Sequence, residues 1–184
     1  MLDQFKKYLE QSATLRTQYT ESLLPMNTNW KQELNGIMEN IPKFLEVIYS
    51  TVGGTKYEVS NQSLMDFIPG YLLIHIDEYQ KNYNDLKNIL INYDIDDDFY
   101  PILRNYSSDF IALKKDTHEI YTILHDDTDI ELIHENPFDF LLTLNNNYER
   151  NVYFLDNEKY LDYDMDKEYQ IAREFNPSVE FWIE

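Results

Sequence analysis

A chain of 184 residues, 43 % hydrophobic and 15 % aromatic, has the material for one packed core and is too short for two comfortable ones, which excludes disorder as its main description. Its 15 basic and 34 acidic residues give a formal charge of −19, a field that repels phosphate backbones and excludes a basic nucleic-acid footprint. There is no cysteine, which excludes a disulfide scaffold, a thiol nucleophile and a cysteine-ligated zinc. The start MLDQFKKYLEQ is polar from its third residue and no run of about 18 apolar residues follows, so no signal peptide or membrane span is expected and a cytoplasmic location is.

Between Leu2 and Leu24, Phe5, Leu9, Ser12, Arg16, Tyr19 and Leu23 recur at helical spacing. Polar residues break this stripe, which predicts a helix lying at the domain edge. A stronger period runs through Leu34, Ile37, Met38, Ile41, Leu45, Ile48 and Tyr49. Pro42 removes a helix donor in its middle, so a break near Asn40 and a second helix from about Pro42 are expected. Gly53 and Gly54 end that helix and supply positive φ for a reversal. Tyr57 to Met65 is weakly patterned, and then Pro69 and Gly70 precede a continuous apolar run over 71–76 suited to a buried strand. From Asp77 the residues Tyr79, Tyr83, Leu86 and Leu90 mark a helix over 77–91, with Asp77 and Glu78 in its first turn.

YPILRN, DFIALKK, EIYTILHD and DIELIHE are rich in β-branched and aromatic residues and are separated by NYSS, DTH and DDTD. They predict an antiparallel meander with strands near 101–104, 110–115, 119–125 and 129–134. A two-residue loop at Asp116 and Thr117 sets Lys114 opposite Glu119 and Leu113 opposite Ile120. Apolar residues then fall on both faces, so helices should cover much of the sheet. Asn136, Pro137 and Asp139 form a compact helix start for a helix over 136–148. NVYFLD adds a strand, and MDKEYQIAREF a closing helix stopped by Asn176 and Pro177. No repeat or long linker divides the chain, so one α+β domain is expected over 1–184, its largely antiparallel sheet packed with helices, and 1–29 a helical extension.

Excess charge is unevenly placed: 8 basic and 11 acidic residues lie up to Asn92, and 7 and 23 beyond it, for nets of −3 and −16. Asp94, Asp96, Asp97 and Asp98 precede the meander, and Asp126, Asp127 and Asp129 fall in one of its hairpin loops. These seven are the candidate contact residues for a basic protein partner, because opposite potentials steer encounter. The alternative is that they only solvate the surface. As calcium loops the acidic runs fail. With Asp94 first, Phe99 and Asn105 stand at the glycine and glutamate positions; with Asp162 first, Lys167 and Arg173 do. Of the four histidines, His125 and His134 can share a sheet face with Tyr121 and Ile123, beside Asp127 and Asp129; satisfied sheet histidines are the commoner case. No nucleophile motif, P-loop or dinucleotide glycine pattern is present, so no enzyme activity, cofactor or metal is expected.

Six ordered segments, IPKFLEVIYSTVGG (41–54), FIPGYLLIHIDEY (67–79), YPILRNYSSDFIALKK (100–115), EIYTILHDD (119–127), NPFDFLLTLNNNYERNVYFLD (136–156) and YLDYDMDKEYQIAREFNP (160–177), carry a resemblance. Together they are similar to the SUKH superfamily, the Smi and Knr cell-wall-regulator-like family. The resemblance implies helices on a largely antiparallel sheet, with Pro42, Tyr49, Gly53, Gly54, Pro101 and Phe140 as structural positions. It also implies a bacterial immunity protein that neutralises a cognate toxin, a nuclease among the options, with no catalytic residue to carry over; the charge and the lack of an apolar run leave neither nucleic acid nor a membrane as an expected direct partner. A regulatory or scaffold adaptor with another protein partner is the second reading.

Overall fold

The β-branched and aromatic segments build the centre of the molecule. The computed structural model describes every residue except Leu24, Tyr57, Glu58, Ser60, Asp129 and Glu184, so part of the weakly patterned stretch, and Asp129, lie outside the described residues. Strands β1 (Tyr71–Leu73), β2 (Phe99–Asn105), β3 (Phe110–Lys114), β4 (Ile120–Ile123) and β5 (Ile130–His134) pair antiparallel in chain order. This α+β meander is the one the sequence predicts. The hairpin register is also as expected at Leu113 opposite Ile120, with the Lys114 N–H donating to the Glu119 carbonyl at 2.8 Å. The connection is looser than a two-residue loop: the His118 N–H returns to the Lys114 carbonyl and His118 itself takes φ +62°, a bulged turn.

Strand β1 is shorter than the apolar run. Beyond Leu73, Ile74 makes a parallel bridge to Thr55, and the chain enters a 3-10 turn at Ile76–Glu78. There the His75 ring accepts from the Asp77 N–H at 3.2 Å, so a local cap wins over further sheet pairing. Of the two glycines before it, Gly54 alone has positive φ, at +96°, and a Cβ there would collide with the Ile74 carbonyl. Pro101 lies where the β2–β3 register shifts between Pro101 and Leu103, a bulge that tolerates the missing N–H.

Residues directly opposed in the sheet share a face. Arg104, Phe110 and Ile123 form one, and helix α5 (Tyr79–Asn92) covers it, with Arg104 reaching Asn82 at 3.1 Å and Asp85 at 3.6 Å. Leu103, Ile111 and Thr122 form the other. This second face lies under α6 (Pro137–Glu149), the hairpin of β6 (Tyr153–Leu155) and β7 (Leu161–Tyr163), and α7 (Met165–Phe175). Asn136 caps α6 by accepting from the N–H groups of Phe138 and Asp139, both at 3.0 Å. β7 was not apparent in the sequence, since three residues centred on an aspartate give no alternating pattern. At the sheet's edge the Trp182 indole donates to the Ile133 carbonyl at 2.5 Å, which blocks part of an otherwise open strand. No helix of the described residues is long and apolar enough to cross a membrane.

The N-terminal stripe does not lie at the domain edge. It forms α1 (Leu2–Leu15) and a short α2 (Tyr19–Ser22), and α1 packs along α6 with Phe5, Tyr8 and Ser12 fully buried. The expected single helix breaks at Arg16, whose φ of −127° leaves the helical region. The break turns its guanidinium inward, where it is 3 % exposed. Nη1 donates to the Asp66 carbonyl at 2.7 Å, Nη2 to the Tyr148 hydroxyl at 3.4 Å, and the group lies 3.8 Å from the centre of the Tyr19 ring. Beyond a loop come α3 (Trp30–Asn35) and α4 (Lys43–Tyr49): α4 starts after Pro42 as expected, but α3 ends at Asn35, short of the expected break near Asn40, so Ile37, Met38 and Ile41 lie outside a helix. The Tyr49 hydroxyl donates to the Ile74 carbonyl at 2.9 Å.

A buried cation held by a carbonyl and a ring face leaves both without a partner when truncated. Arg16→Ala is therefore expected to lower the unfolding free energy by about 3 kcal/mol, with an exposed substitution such as Lys6→Ala staying within about 0.5 kcal/mol. Urea denaturation of the two variants checks both values.

Candidate functional site

Two features stand out: the acidic rim that the sequence predicts and a cavity under α7 that it does not. At the rim, Asp94, Asp96, Asp97, Asp98, Asp126 and Asp127 are all exposed, and Asp129 is outside the described residues. They form a line along the sheet and not one patch. The linker starts beside the β4–β5 loop, where the Tyr93 hydroxyl donates to the His125 carbonyl at 2.8 Å, so Asp94 stands near the loop that carries Asp126 and Asp127. It ends beside the β3–β4 turn, at the opposite end of the strands, where Lys115 N–H donates to the Asp98 carbonyl. There Asp97 and Asp98 are paired with Lys114 and Lys115 at 2.8 and 3.0 Å. Their fields are partly cancelled locally by those two lysines.

That end also holds a residue the sequence reading missed. Asn105 folds the β2–β3 turn by accepting from the N–H groups of Ser107 and Asp109, both at 2.8 Å, and so aims Asp109 at the next loop. Its Oδ1 accepts from the His125 backbone N–H at 2.9 Å and lies 2.7 Å from the ring Nδ1. Partial burial pushes the Asp109 carboxyl up, but the bonds from His125 and Asn105 outweigh it and its pKa falls. The same bond raises the pKa of His125. Among the described residues, Asp109, His125 and Asp126 are the group with a donor set suited to a cation, one ligand atom from each lying within 4.8 Å of the others, although the Asp109–His125 contact competes for those atoms. The signal was the NYSSD turn, whose final aspartate sits one residue before a strand.

The two histidines do not converge. His134 pairs with Ile120 at one end of β4, while Ile123 pairs with Ile130 at the other, which puts His134 a strand's length from His125. It lies in the core, 5.1 Å from the Phe140 ring and 5.8 Å from that of Trp182. Burial pushes its pKa down to about 3, against a smaller pull upward from Asn176, so the ring is neutral at physiological pH.

His134 lines a cavity of about 210 Å³. Its floor is the second sheet face, at Tyr71, Ile111 and Thr122, and its roof comes from α6, α7 and the C-terminal turn. Met165 also lines it and is 59 % exposed, which places its mouth at the start of α7. The acid in this wall is Glu168. The Asn147 amide and the Tyr153 hydroxyl both donate to its Oε1, at 3.0 and 3.3 Å. Burial pushes its carboxyl up to about 7, further than those two bonds pull it down. In the sequence Glu168 stands in the acidic run that begins at Asp162. The missed signal is its place one turn before Ile171 and Ala172, the buried residues of an amphipathic helix.

No family model and no curated protein matches the chain.

Glu168 and His134 act on stability in opposite senses. Glu168 is ordinarily at 4.5 and folded at about 7, so its contribution is intact below pH 4.5 and is lost as pH rises through 7. His134 is ordinarily at 6.5 and folded at about 3, so its contribution is intact above pH 6.5 and is lost as pH falls toward 3. Glu168→Gln removes the first effect alone. It is expected to raise the unfolding free energy over the parent by about 3 kcal/mol at pH 8 and by well under 1 kcal/mol at pH 4.5. Urea melts at the two pH values measure this, and an equal gain at both contradicts the assignment.

Proposed function

We propose that the chain is a non-catalytic protein-binding domain whose acidic rim engages a basic protein, of the kind an immunity protein presents to its cognate toxin. The observation that carries this reading is the charge: of a net −19, −16 falls beyond Asn92, and the described rim aspartates within that half are all exposed. The ordered resemblance to the SUKH superfamily supports the immunity role, a toxin of nuclease type being one such partner. A large single-sign field raises encounter rates with an opposite field and disfavours acidic competitors, while adding less to final affinity. Exposed carboxylates at loops cost little to maintain, since they stay hydrated.

The native partner is found by capture on the immobilised chain and identification of what is retained. With it in hand, replacing Asp94, Asp96, Asp97, Asp98, Asp126, Asp127 and Asp129 by asparagine is expected to lower the association rate at least about tenfold at low ionic strength. The effect should shrink at high salt, as the Debye length falls from about 10 Å at 0.1 M to about 3 Å at 1 M. Dissociation should change less. An association rate unaffected by the substitutions at low salt overturns the rim as the contact face.

A further inference from the structure

The cavity under α7 has a chemistry that the rim does not need. Its wall contains the rings of Phe140, Tyr153, Tyr163, Tyr169, Phe181 and Trp182 and one carboxyl group, Glu168, with no lysine or arginine among the lining residues. Aromatic faces carry the negative end of a quadrupole, the same sign as a carboxylate. The one other ionisable side chain of the wall besides the phenols is His134, and it is neutral there.

Hydrogen bonding within the wall is incomplete in a way that points inward. Both donors to Glu168, from Asn147 and Tyr153, meet Oε1, and Oε2 takes no hydrogen bond from the protein. The buried Nδ1 of His134 also has no partner. Polar groups lining an apolar chamber are nearly always satisfied, so a carboxylate oxygen with no donor among the described residues needs a partner. A bound ligand with its own polar end provides one. Size narrows the class: a dry engineered cavity of about 150 Å³ takes up benzene, so about 210 Å³ admits one such ring with a short polar chain.

We propose that this cavity binds a small organic ammonium ion carrying an apolar group, an arylethylamine in size, with its nitrogen on Oε2 of Glu168 and its hydrocarbon against the aromatic wall. The ammonium supplies donors to a carboxylate whose second oxygen has none. It also lies among ring faces that favour a cation, the arrangement by which aromatic cages hold ammonium groups. In the absence of such a cation the carboxyl is costly to ionise in this setting, and the cation's charge offsets that cost. The site is independent of the rim, because none of the rim aspartates lines it.

Isothermal titration of the full chain with phenethylammonium at pH 8, beside the neutral 2-phenylethanol and the anionic phenylacetate, is the test. The ammonium is expected to bind more than about tenfold tighter than the alcohol, with the carboxylate weakest. Glu168→Gln, which keeps the fold, should bring the ammonium to the level of the alcohol and leave the alcohol unchanged. In the unaltered chain, lowering the pH from 8 to 5.5 should weaken the ammonium by more than about tenfold as Glu168 takes up its proton. The groups facing Glu168 do not compete for that change: burial raises the phenols of Tyr153 on β6 and Tyr163 on β7 above their ordinary range, and His134 on β5 stays neutral. An alcohol that binds as tightly as the ammonium assigns the cavity to neutral apolar ligands and overturns the proposal. So does a Glu168→Gln chain that holds the ammonium like the parent, or an ammonium that gives neither heat nor chemical-shift change at millimolar concentration.

Discussion

A sheet with apolar residues on both faces has to be covered on both, and most of this molecule's arrangement follows from that requirement. Phe110 and Ile123 on one face and Leu103 and Ile111 on the other cannot be left in water at about 25 cal/mol for each Å² of apolar surface. One long helix, α5, packs on the first face at β2. The second is covered by shorter pieces: α6, α7, the β6–β7 hairpin and the C-terminal turn that brings Trp182 onto Ile133. Several short elements meeting over one face fit less closely than a single long one, and the chamber floored by Tyr71, Ile111 and Thr122 lies where they meet. With both faces occupied, the charge of −19 is left the loops and the outer helix surfaces. The acidic rim is in this sense a consequence of the core.

The N-terminal segment enters the same core through a cation. Arg16 has no carboxylate bonded to its guanidinium; it is held by the Asp66 carbonyl, the Tyr148 hydroxyl and the Tyr19 ring. Burial alone lowers the pKa of such a group, yet the facing phenols of Tyr19, Tyr148 and Tyr8 outweigh it and its pKa rises. A guanidinium suits this site better than an ammonium because it is planar, weakly hydrated and able to stack on a ring while donating in plane. Tyr148 in turn packs edge-on against Tyr153 at 5.0 Å, and Tyr153 donates to Glu168. Contacts thus run from the first helix to the cavity wall through aromatic side chains.

What could be read from the sequence divides along the range of the interactions. The meander, the Leu113–Ile120 register, the start of α4 after Pro42 and the Asn136 cap all depend on residues within a few positions of one another, and alternation or turn chemistry encodes them locally. The break at Arg16 depends on Asp66 and Tyr148, which lie 50 and 132 residues away in the chain. No helical period contains that information, so the stripe read as one continuous helix. Strand length failed for a related reason: YLLIHI is apolar to its end, but the His75 cap and the Thr55 bridge decide where pairing stops. At the rim, composition located the aspartates, while the lysine pairing that divides them by effect rests on the fold. Glu168 was visible as a polar interruption of an apolar helix face, a signal that a count of acidic residues dilutes.

The same charge does different physical work in the two places. An exposed carboxylate 4 Å from a cation gains about 1 kcal/mol at the dielectric constant of water, and about 4 kcal/mol at an effective value near 20. Rim aspartates therefore act as a field, summed over many groups and screened by salt, and what they contribute is rate and selectivity. Glu168 acts as one group in a mostly apolar chamber, where screening is weaker than at the rim and geometry decides. Its burial is unfavourable for the empty chain at neutral pH, which is the usual condition of a polar group placed where packing alone would have chosen leucine. A structural acid would be expected to have both oxygens bonded by the protein or to have a cationic side chain opposite. Glu168 has donors on one oxygen alone and aromatic rings around it, so the partner that would balance its charge has to come from outside the chain.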